Sequence, residues 1–349
     1  MDTPLRLRFC IGTAMAFACG KSGSKKRNSI GQNMVKSPKL NTTYPLIPLA
    51  SQKGFAMTRF GLNYCSLWRV LTLLLLIMVS PARADTPFMR LGLSAVIIGE
   101  QQEMIQRWRR YLEAHLHRPV EFVQRRTYQE TMELFRDGKI DAGWICGGPH
   151  VGYPAWQRLL VVGVWKGKPR YQSYLIVPAG DTTTRSIADL RGKIFGYSDP
   201  QSNSGHNVPV AELLHMGENP KRFFGKTLYT YSHRKLVEGV AAGVFNGARV
   251  DGYIYEEMRR YFPALVAQTR LVSKSEDFGF PPIVARRNLP KADFVALQTT
   301  LLNMQNDEEG RALLGLMGLD GFIAGDERLF EGVAAVLNDI KKAGLAHDR

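Results

Sequence analysis

From residue 90 onward, short apolar runs alternate with segments whose apolar residues recur every three or four positions. That alternation of strand and helix patterns is the mark of an α/β protein built on largely parallel sheets. Residues 90–98 (RLGLSAVII) predict a strand and residues 100–117 a helix, with Met104, Ile105, Trp108, Tyr111, Leu112 and Leu116 on one face. A second strand follows at 120–123. Thr127 with Glu130 three residues on is a capping-box arrangement, and the helix it starts runs to Phe135 and stops at Asp137-Gly138. Residues 140–145 predict a third strand that ends at Gly147-Gly148-Pro149. Residues 159–165 and 174–177 predict two more, the last closed by Pro178-Ala179-Gly180.

A second series then begins. Residues 187–190 read as a short helix, 194–197 as a strand, and Asp199 to Gly205 as a polar turn that opens a helix carrying Val208 to Met216. A strand at 226–231, a helix at 234–242 capped by Ser232, and strands at 250–254 and 271–272 follow. Pro281-Pro282 keeps residues 280–285 from being a central strand throughout, because proline has no amide hydrogen to donate. Helices at 291–304 and 327–342 close the chain, with Phe294, Leu297, Leu301 and Met304 on one stripe and Leu329, Val333, Val336, Leu337 and Ile340 on the other. These stripes read as core contacts. Two series joined near 177–181 and 272–282 predict two lobes, one made of residues 85–177 and 275–349 and the other of residues 178–274. The crevice between such lobes is where a ligand is expected.

The N-terminal part has a different character. Residues 70–79 (VLTLLLLIMV) form a ten-residue apolar run flanked by Arg59 and Arg69 upstream and by Ser80-Pro81 and Ala82-Arg83-Ala84 downstream. It is too short for a bilayer of about 30 Å, which takes about 20 residues, and it has the three regions of a secretory signal with cleavage expected after Ala84. A buried core helix is the alternative, which the positive flank and the small-residue triplet fit poorly. Residues 1–56 are polar and without period, so Met57 is the expected start of a signal at 57–84, with a transit peptide or cytoplasmic extension as the competing reading. The product would be an exported, periplasmic chain beginning near Asp85.

Charge and cysteine content follow from this division. The net +15 comes from 46 basic and 31 acidic residues, but twelve basic residues and one acid fall within 1–84, leaving +4 for the rest. A nucleic-acid partner is therefore not implied. Of four cysteines, Cys10, Cys19 and Cys65 precede Asp85 and only Cys146 follows it, so residues 85–349 hold no internal disulfide and fold on their core alone. Cys65 precedes the apolar run, the wrong place for a lipid anchor.

The most informative local feature is Ser202-Asn203-Ser204-Gly205, placed after a strand and at the start of a helix. Hydroxyls, an amide side chain and free backbone N–H groups meet there at the positive end of a helix dipole, an arrangement suited to an oxyanion. An ordinary loop with a helix cap is the plainer reading of the same four residues.

The order strand, Asp-Pro, Ser-x-Ser-Gly, helix, preceded by Asp189-Leu190-Arg191-Gly192-Lys193, resembles the phosphate, phosphite and phosphonate-binding proteins of ABC transporters. The likeness extends over nearly all of residues 85–349: Tyr128 followed by Phe135 to Asp141, Tyr171-Gln172-Ser173, Tyr231-Ser232-His233, Gly247 to Asp251, and Pro281-Pro282 before Val284-Ala285-Arg286. It implies a two-lobe type II periplasmic binding protein of Venus-flytrap form. By the resemblance, Ser202, Asn203, Ser204 and Gly205 donate to an anion, Tyr128 and Tyr171 close over it from the first lobe, and His233 is a donor if protonated. Asp251 would accept from a protonated oxyanion or from the amine of an aminoalkyl phosphonate. The chain departs from the family pattern at Asn203, where threonine is usual, at Val96 to Glu100, which lack a Pro-Ser turn, and at the widened Cys146-Gly147-Gly148-Pro149.

Catalytic readings fit less well. Ser202 stands where a nucleophile elbow around Ser204 needs glycine. His115 and His117 are two apart on a helix and share no face, and His150, His206 and His215 lack zinc-ligand spacing. Cys146 beside His150 reads as a small buried thiol at a strand end rather than a nucleophile. No metal or cofactor is called for. The expected function is a solute receptor that binds a small phosphorus oxyanion or phosphonate-like ligand and passes it to an ABC permease in the inner membrane. The alternative is a sensor subunit of the same fold that signals to a membrane receptor kinase or cyclase.

Overall fold

A computed structural model of the protein describes residues 88–94 and 102–345. The expected extension at 1–56, the signal segment at 57–84 and the end of the first predicted strand lie outside the described residues. The first elements are β1 (Met89–Leu93), α1 (Gln102–Leu116), β2 (Val120–Gln124), α2 (Tyr128–Arg136), β3 (Ala142–Trp144), α3 (Gly147–Gly152), β4 (Gln157–Val164), β5 (Arg170–Tyr171) and β6 (Ser173–Pro178). After a 3-10 turn at Ile187–Leu190 come β7 (Ile194–Tyr197), a π-helical turn at Asn203–Asn207 running into α4 (Val208–His215), α5 (Pro220–Phe223), β8 (Lys226–Tyr229), α6 (His233–Ala241) and β9 (Gly247–Asp251). The chain continues through α7 (Gly252–Tyr261), α8 (Pro263–Val266), β10 (Thr269–Lys274), β11 (Phe278–Gly279), β12 (Pro282–Arg286), α9 (Lys291–Asn303), α10 (Glu308–Met317), β13 (Gly321–Ala324) and α11 (Glu331–Lys342).

Two mixed sheets divide these elements. One runs β13-β4-β12-β3-β1-β2 and the other β10-β6-β9-β7-β8. The inner pairs β1 with β2 and β3, and β7 with β8 and β9, are parallel. Strands β6, β10, β12 and β13 pair antiparallel. The chain passes between sheets at β5 and returns at β11, and these two short strands pair with each other, Phe278 opposite Tyr171. The first crossing thus lies before residue 173, earlier than the expected boundary at 177, because Ser173 to Ile176 pair with Asp251 to Ala248 in the second sheet.

Local signals account for many of the helices. Thr127 Oγ1 accepts from Glu130 N at 3.1 Å while Glu130 Oε2 accepts from Thr127 N at 3.0 Å, completing the capping box. Ser232 Oγ accepts from Lys235 N and caps α6. The predicted stripe of α9 is buried at Leu297 and Leu301, continues to Met304, and leaves Phe294 partly buried beneath the Arg158 guanidinium. In the first lobe Trp108 and Trp144 meet edge to face; in the second, Phe195 stacks on Phe224.

Besides the short elements β5, α5, α8 and β11, which the sequence pattern does not predict, the structure departs from the expected elements in three places. Helix α3 forms where Gly147-Gly148-Pro149 read only as a strand stop; Pro149 lies in its first turn, where no amide hydrogen is needed. The strand expected at 250–254 ends at Asp251, and α7 begins at Gly252, because the Asp251 carboxylate accepts from Tyr253 N and Ile254 N and caps the new helix. Helix α10 and strand β13 were absent from the expectation; Asp307 caps the helix through Gly310 N, and Gly318, at φ +68°, ends it in the left-handed region.

Replacing Thr127 with Ala removes one half of the capping box at α2. The expected cost is about 1 kcal/mol of unfolding free energy, read by urea denaturation, with Thr127→Ser close to the parent protein.

Candidate ligand-binding site

Strands β3, β7 and β9 lead into the same seam. Strand β7 ends at Tyr197, and the turn after it is held by Asp199, whose Oδ1 accepts from Gln201 N at 2.8 Å and whose carbonyl accepts from Ser202 N. Ser202 Oγ then caps the next helix by accepting from Gly205 N at 3.1 Å. Its first turn is π-helical, with Asn207 N donating to the carbonyl of Ser202 five residues back. Such turns are rare and recur at functional sites. Gly205 is required here, since a Cβ would overlap the Ser198 hydroxyl and crowd the His233 ring.

The first lobe meets this turn directly. Tyr128 N, the first amide of α2, donates to Asp199 Oδ2 at 3.1 Å, so a carboxylate of one lobe rests on a helix start of the other. Asn203 N donates to Cys146 Sγ at 3.3 Å, and Asn203 Nδ2 donates to the Tyr171 hydroxyl at 3.2 Å. Gly148 passes so close that a Cβ there would overlap the carbonyl of Gln201. Gln201 Nε2 also donates to Gln129 Oε1 and to the Tyr153 hydroxyl. At the rim, the Arg126 guanidinium lies 5.2 Å from the centre of the Tyr231 ring. Tyr231 is held at φ +54°, an uncommon conformation for a side chain of that size.

The second lobe adds His233 and Asp251. His233 Nδ1 accepts from Asp251 N at 3.2 Å, which places the ring proton on Nε2. Burial lowers its pKa to about 4, so His233 is neutral and donates through Nε2 alone, not as the imidazolium that the sequence left open. Asp251 is pushed up to about 7 by burial, against the opposing pull of the Ile254 and Tyr253 amides. Burial drives the phenols of Tyr128 and Tyr171 far above their ordinary range, and it raises the Cys146 thiol as well. The tyrosines and the thiol are thus uncharged at neutral pH.

Five buried polar atoms here have no hydrogen-bond partner among the described residues: Tyr128 Oη, Ser198 Oγ, Gln201 Oε1, Asn203 Oδ1 and Ser204 Oγ. Buried polar groups are nearly always partnered, so a cluster of this kind marks a place shaped for something else. Three of the five are hydroxyls able to donate. If the Asn203 amide is turned about its own axis, its oxygen accepts from Tyr171 and its NH2 joins them.

All eight residues expected from the sequence gather at this seam: Ser202, Asn203, Ser204 and Gly205 on the turn, Tyr128 and Tyr171 across from it, His233 beside Gly205, and Asp251 beside His233. Ser202 and Gly205 are already committed to each other, and Asp251 Oδ1 is committed to capping α7. Sequence reasoning did not place Ser198, Gln201 or Cys146 here. Ser198 follows directly on the end of a parallel strand, where ligands of α/β proteins collect, a signal that was available. Of the histidines set aside, His115 stacks on Tyr111, and His150 lies between Gln157 and Glu327. Among the described residues no three His, Cys, Asp or Glu side chains are grouped to hold a metal ion.

Comparison with known proteins agrees with this geometry. The family described as ABC transporter, phosphonate, periplasmic substrate-binding protein matches residues 99–330. The phosphonates-binding periplasmic protein of Escherichia coli K12 is 24% identical over 277 residues, 76% of this chain and 80% of that protein. Among solved structures, a binding protein component of an ABC phosphonate transporter from Pseudomonas aeruginosa superposes with a TM-score of 0.68 at 20% identity, over 74% of this chain and 88% of that one. PhnD1 of Prochlorococcus marinus in complex with methylphosphonate gives a TM-score of 0.66 at 16% identity, over 74% of this chain and 99% of that one. A two-lobe fold, a helix start lined with hydroxyls at the seam, and a family match across most of the described residues converge: the chain belongs to the phosphonate-binding periplasmic substrate-binding proteins of ABC transporters.

Proposed function

We propose that this protein captures a small phosphorus oxyanion of phosphonate type between its lobes and delivers it to an ABC permease in the inner membrane. The observation that carries the reading is the cluster of unpartnered buried hydroxyls and amide at Tyr128, Ser198, Asn203 and Ser204. Helices α2, α6, α7 and the helix from Asn203 through α4 all start at the seam. Their positive ends favour an anion, and the neutral state of His233 means the site attracts one by dipoles and hydroxyls rather than by a formal charge.

The lobes in this reading are, among the described residues, 88–94 and 102–172 with 275–345 and residues 173–274, hinged at the paired strands β5 and β11. The ligand touches both, so its binding free energy stabilises the closed form. The permease then recognises closure, and no covalent step is involved. Asp251 is the group that reads the ligand's protons. It accepts from a P–OH or from an amine on the organic substituent.

A thermal-shift comparison of methylphosphonate, inorganic phosphate, sulfate and acetate tests the reading, because a ligand that binds the native state raises its melting temperature. Stabilisation by a phosphorus anion is expected; a shift with sulfate or acetate alone would overturn it. Loss of methylphosphonate uptake in a strain lacking the protein separates transport from the sensor alternative.

Ser204→Ala removes one unpartnered donor and should weaken methylphosphonate binding by about 1 to 3 kcal/mol in a calorimetric titration. Asp251 makes a further prediction. Its pKa is raised on folding, so the unfolded chain ionises first as pH rises, and the stability of the unliganded protein declines from near pH 4 until the folded carboxyl has ionised near pH 7. Asp251→Asn, which can still cap α7, should flatten that part of the stability profile measured by urea unfolding.

A further inference from the structure

The one cysteine that follows residue 84 stands at the centre of the seam. Cys146 comes two residues after β3, is 1% exposed, and its sulfur lies 3.3 Å from the amide of Asn203, the residue that opens the π-helical turn. The Gly148 amide and the Tyr171 hydroxyl lie near enough to favour the ionised thiol, against the larger effect of burial. The unpartnered atoms of Tyr128, Asn203 and Ser204, all on residues at most 2% exposed, belong to the same cluster. One wall of the site therefore carries sulfur near Tyr128 and Tyr171, and the other walls carry hydroxyls.

These walls offer a tetrahedral anion very different contacts. Each oxygen of a buried oxyanion needs a strong donor, and leaving one without costs far more than leaving a methyl group so placed. A neutral thiol is a weak donor, yet it packs well against carbon because sulfur is large and polarizable. We propose that Cys146 is the residue by which the site discriminates phosphonates, which present three oxygens and one carbon, from four-oxygen phosphate, with the carbon substituent turned toward its sulfur. This rests on the function proposed above.

Affinities of the full protein for methylphosphonate and inorganic phosphate, measured for wild type, Cys146→Ser and Cys146→Ala, test the assignment. Serine supplies a hydroxyl where the sulfur stood. It should narrow the preference for methylphosphonate over phosphate by about tenfold or more, mainly through tighter phosphate binding. Alanine supplies no donor and should keep the preference within about threefold of wild type. A Cys146→Ser protein that melts normally, binds both anions and keeps the wild-type ratio overturns the role of Cys146 and leaves the proposed function standing. Wild type that binds neither anion overturns the proposed function itself. Should the serine variant fail to fold, iodoacetamide labelling of wild type decides, followed on the peptide that contains Cys146. Methylphosphonate at saturating concentration is expected to slow the labelling, and an unchanged rate overturns the proposal.

Discussion

The amides at the starts of helices govern this seam. The first turn of a helix has N–H groups that its own backbone cannot use, and they carry the positive end of the helix dipole. Here helix starts from both lobes come together, and the buried groups around them answer that excess of donors. Asp199 takes amides from Gln201 of its own lobe and from Tyr128 of the other. Ser202 takes Gly205, Asp251 takes Tyr253 and Ile254, and Cys146 takes Asn203. The donors left over belong to side chains, and on the proposed function they are what holds an anion between the lobes.

Two aspartates with the same chemistry therefore serve different ends. Asp199 ties the lobes to each other through the start of α2. Asp251 lies deeper, with two amides of its own helix and no cation near enough to lower its pKa, so burial dominates and proton affinity rises. On the proposed function this arrangement favours release, since His233 is neutral and no cation lies close enough to Asp251 to lower its pKa, so that the ligand is held by dipoles and hydroxyls. Affinity then depends on many neutral contacts that are lost together when the lobes part.

Much of this was legible in the sequence, and what was not has a physical reason. Thr127 with Glu130 and Ser232 ahead of α6 are signals confined to a few residues, so the helices they start could be read directly. The serine-rich turn could be read for the same cause, because one stretch of chain holds the cap, the hydroxyls and the glycine. Asp251 misled, because Val250 to Ile254 continues an apolar pattern while the cap that ends the strand depends on the direction of one side chain. The first lobe boundary slipped because the apolar run at 174–177 shows no sign of which sheet it joins; its pairing with Val250, Arg249 and Ala248 decides that. Cys146 was hardest of all. A lone thiol has no pattern around it, and its neighbour Asn203 stands 57 residues further along the chain.

Helix α11 is the last among the described residues and packs on both sides of the seam. Val333 lies against Gly147 of α3, while Asp339 accepts from His215 Nε2 of α4 at 2.9 Å. Beyond it, Leu345 borders a hollow in the second lobe beside Tyr197, His206 and Val210. On the proposed lobe motion, a helix that touches α3 through Val333 and α4 through Asp339 cannot keep both contacts when the lobes part. If the lobes move as proposed, an environment-sensitive dye attached at position 345, beside that hollow, would brighten or dim as they part and meet, which makes this position an optical reporter of the motion.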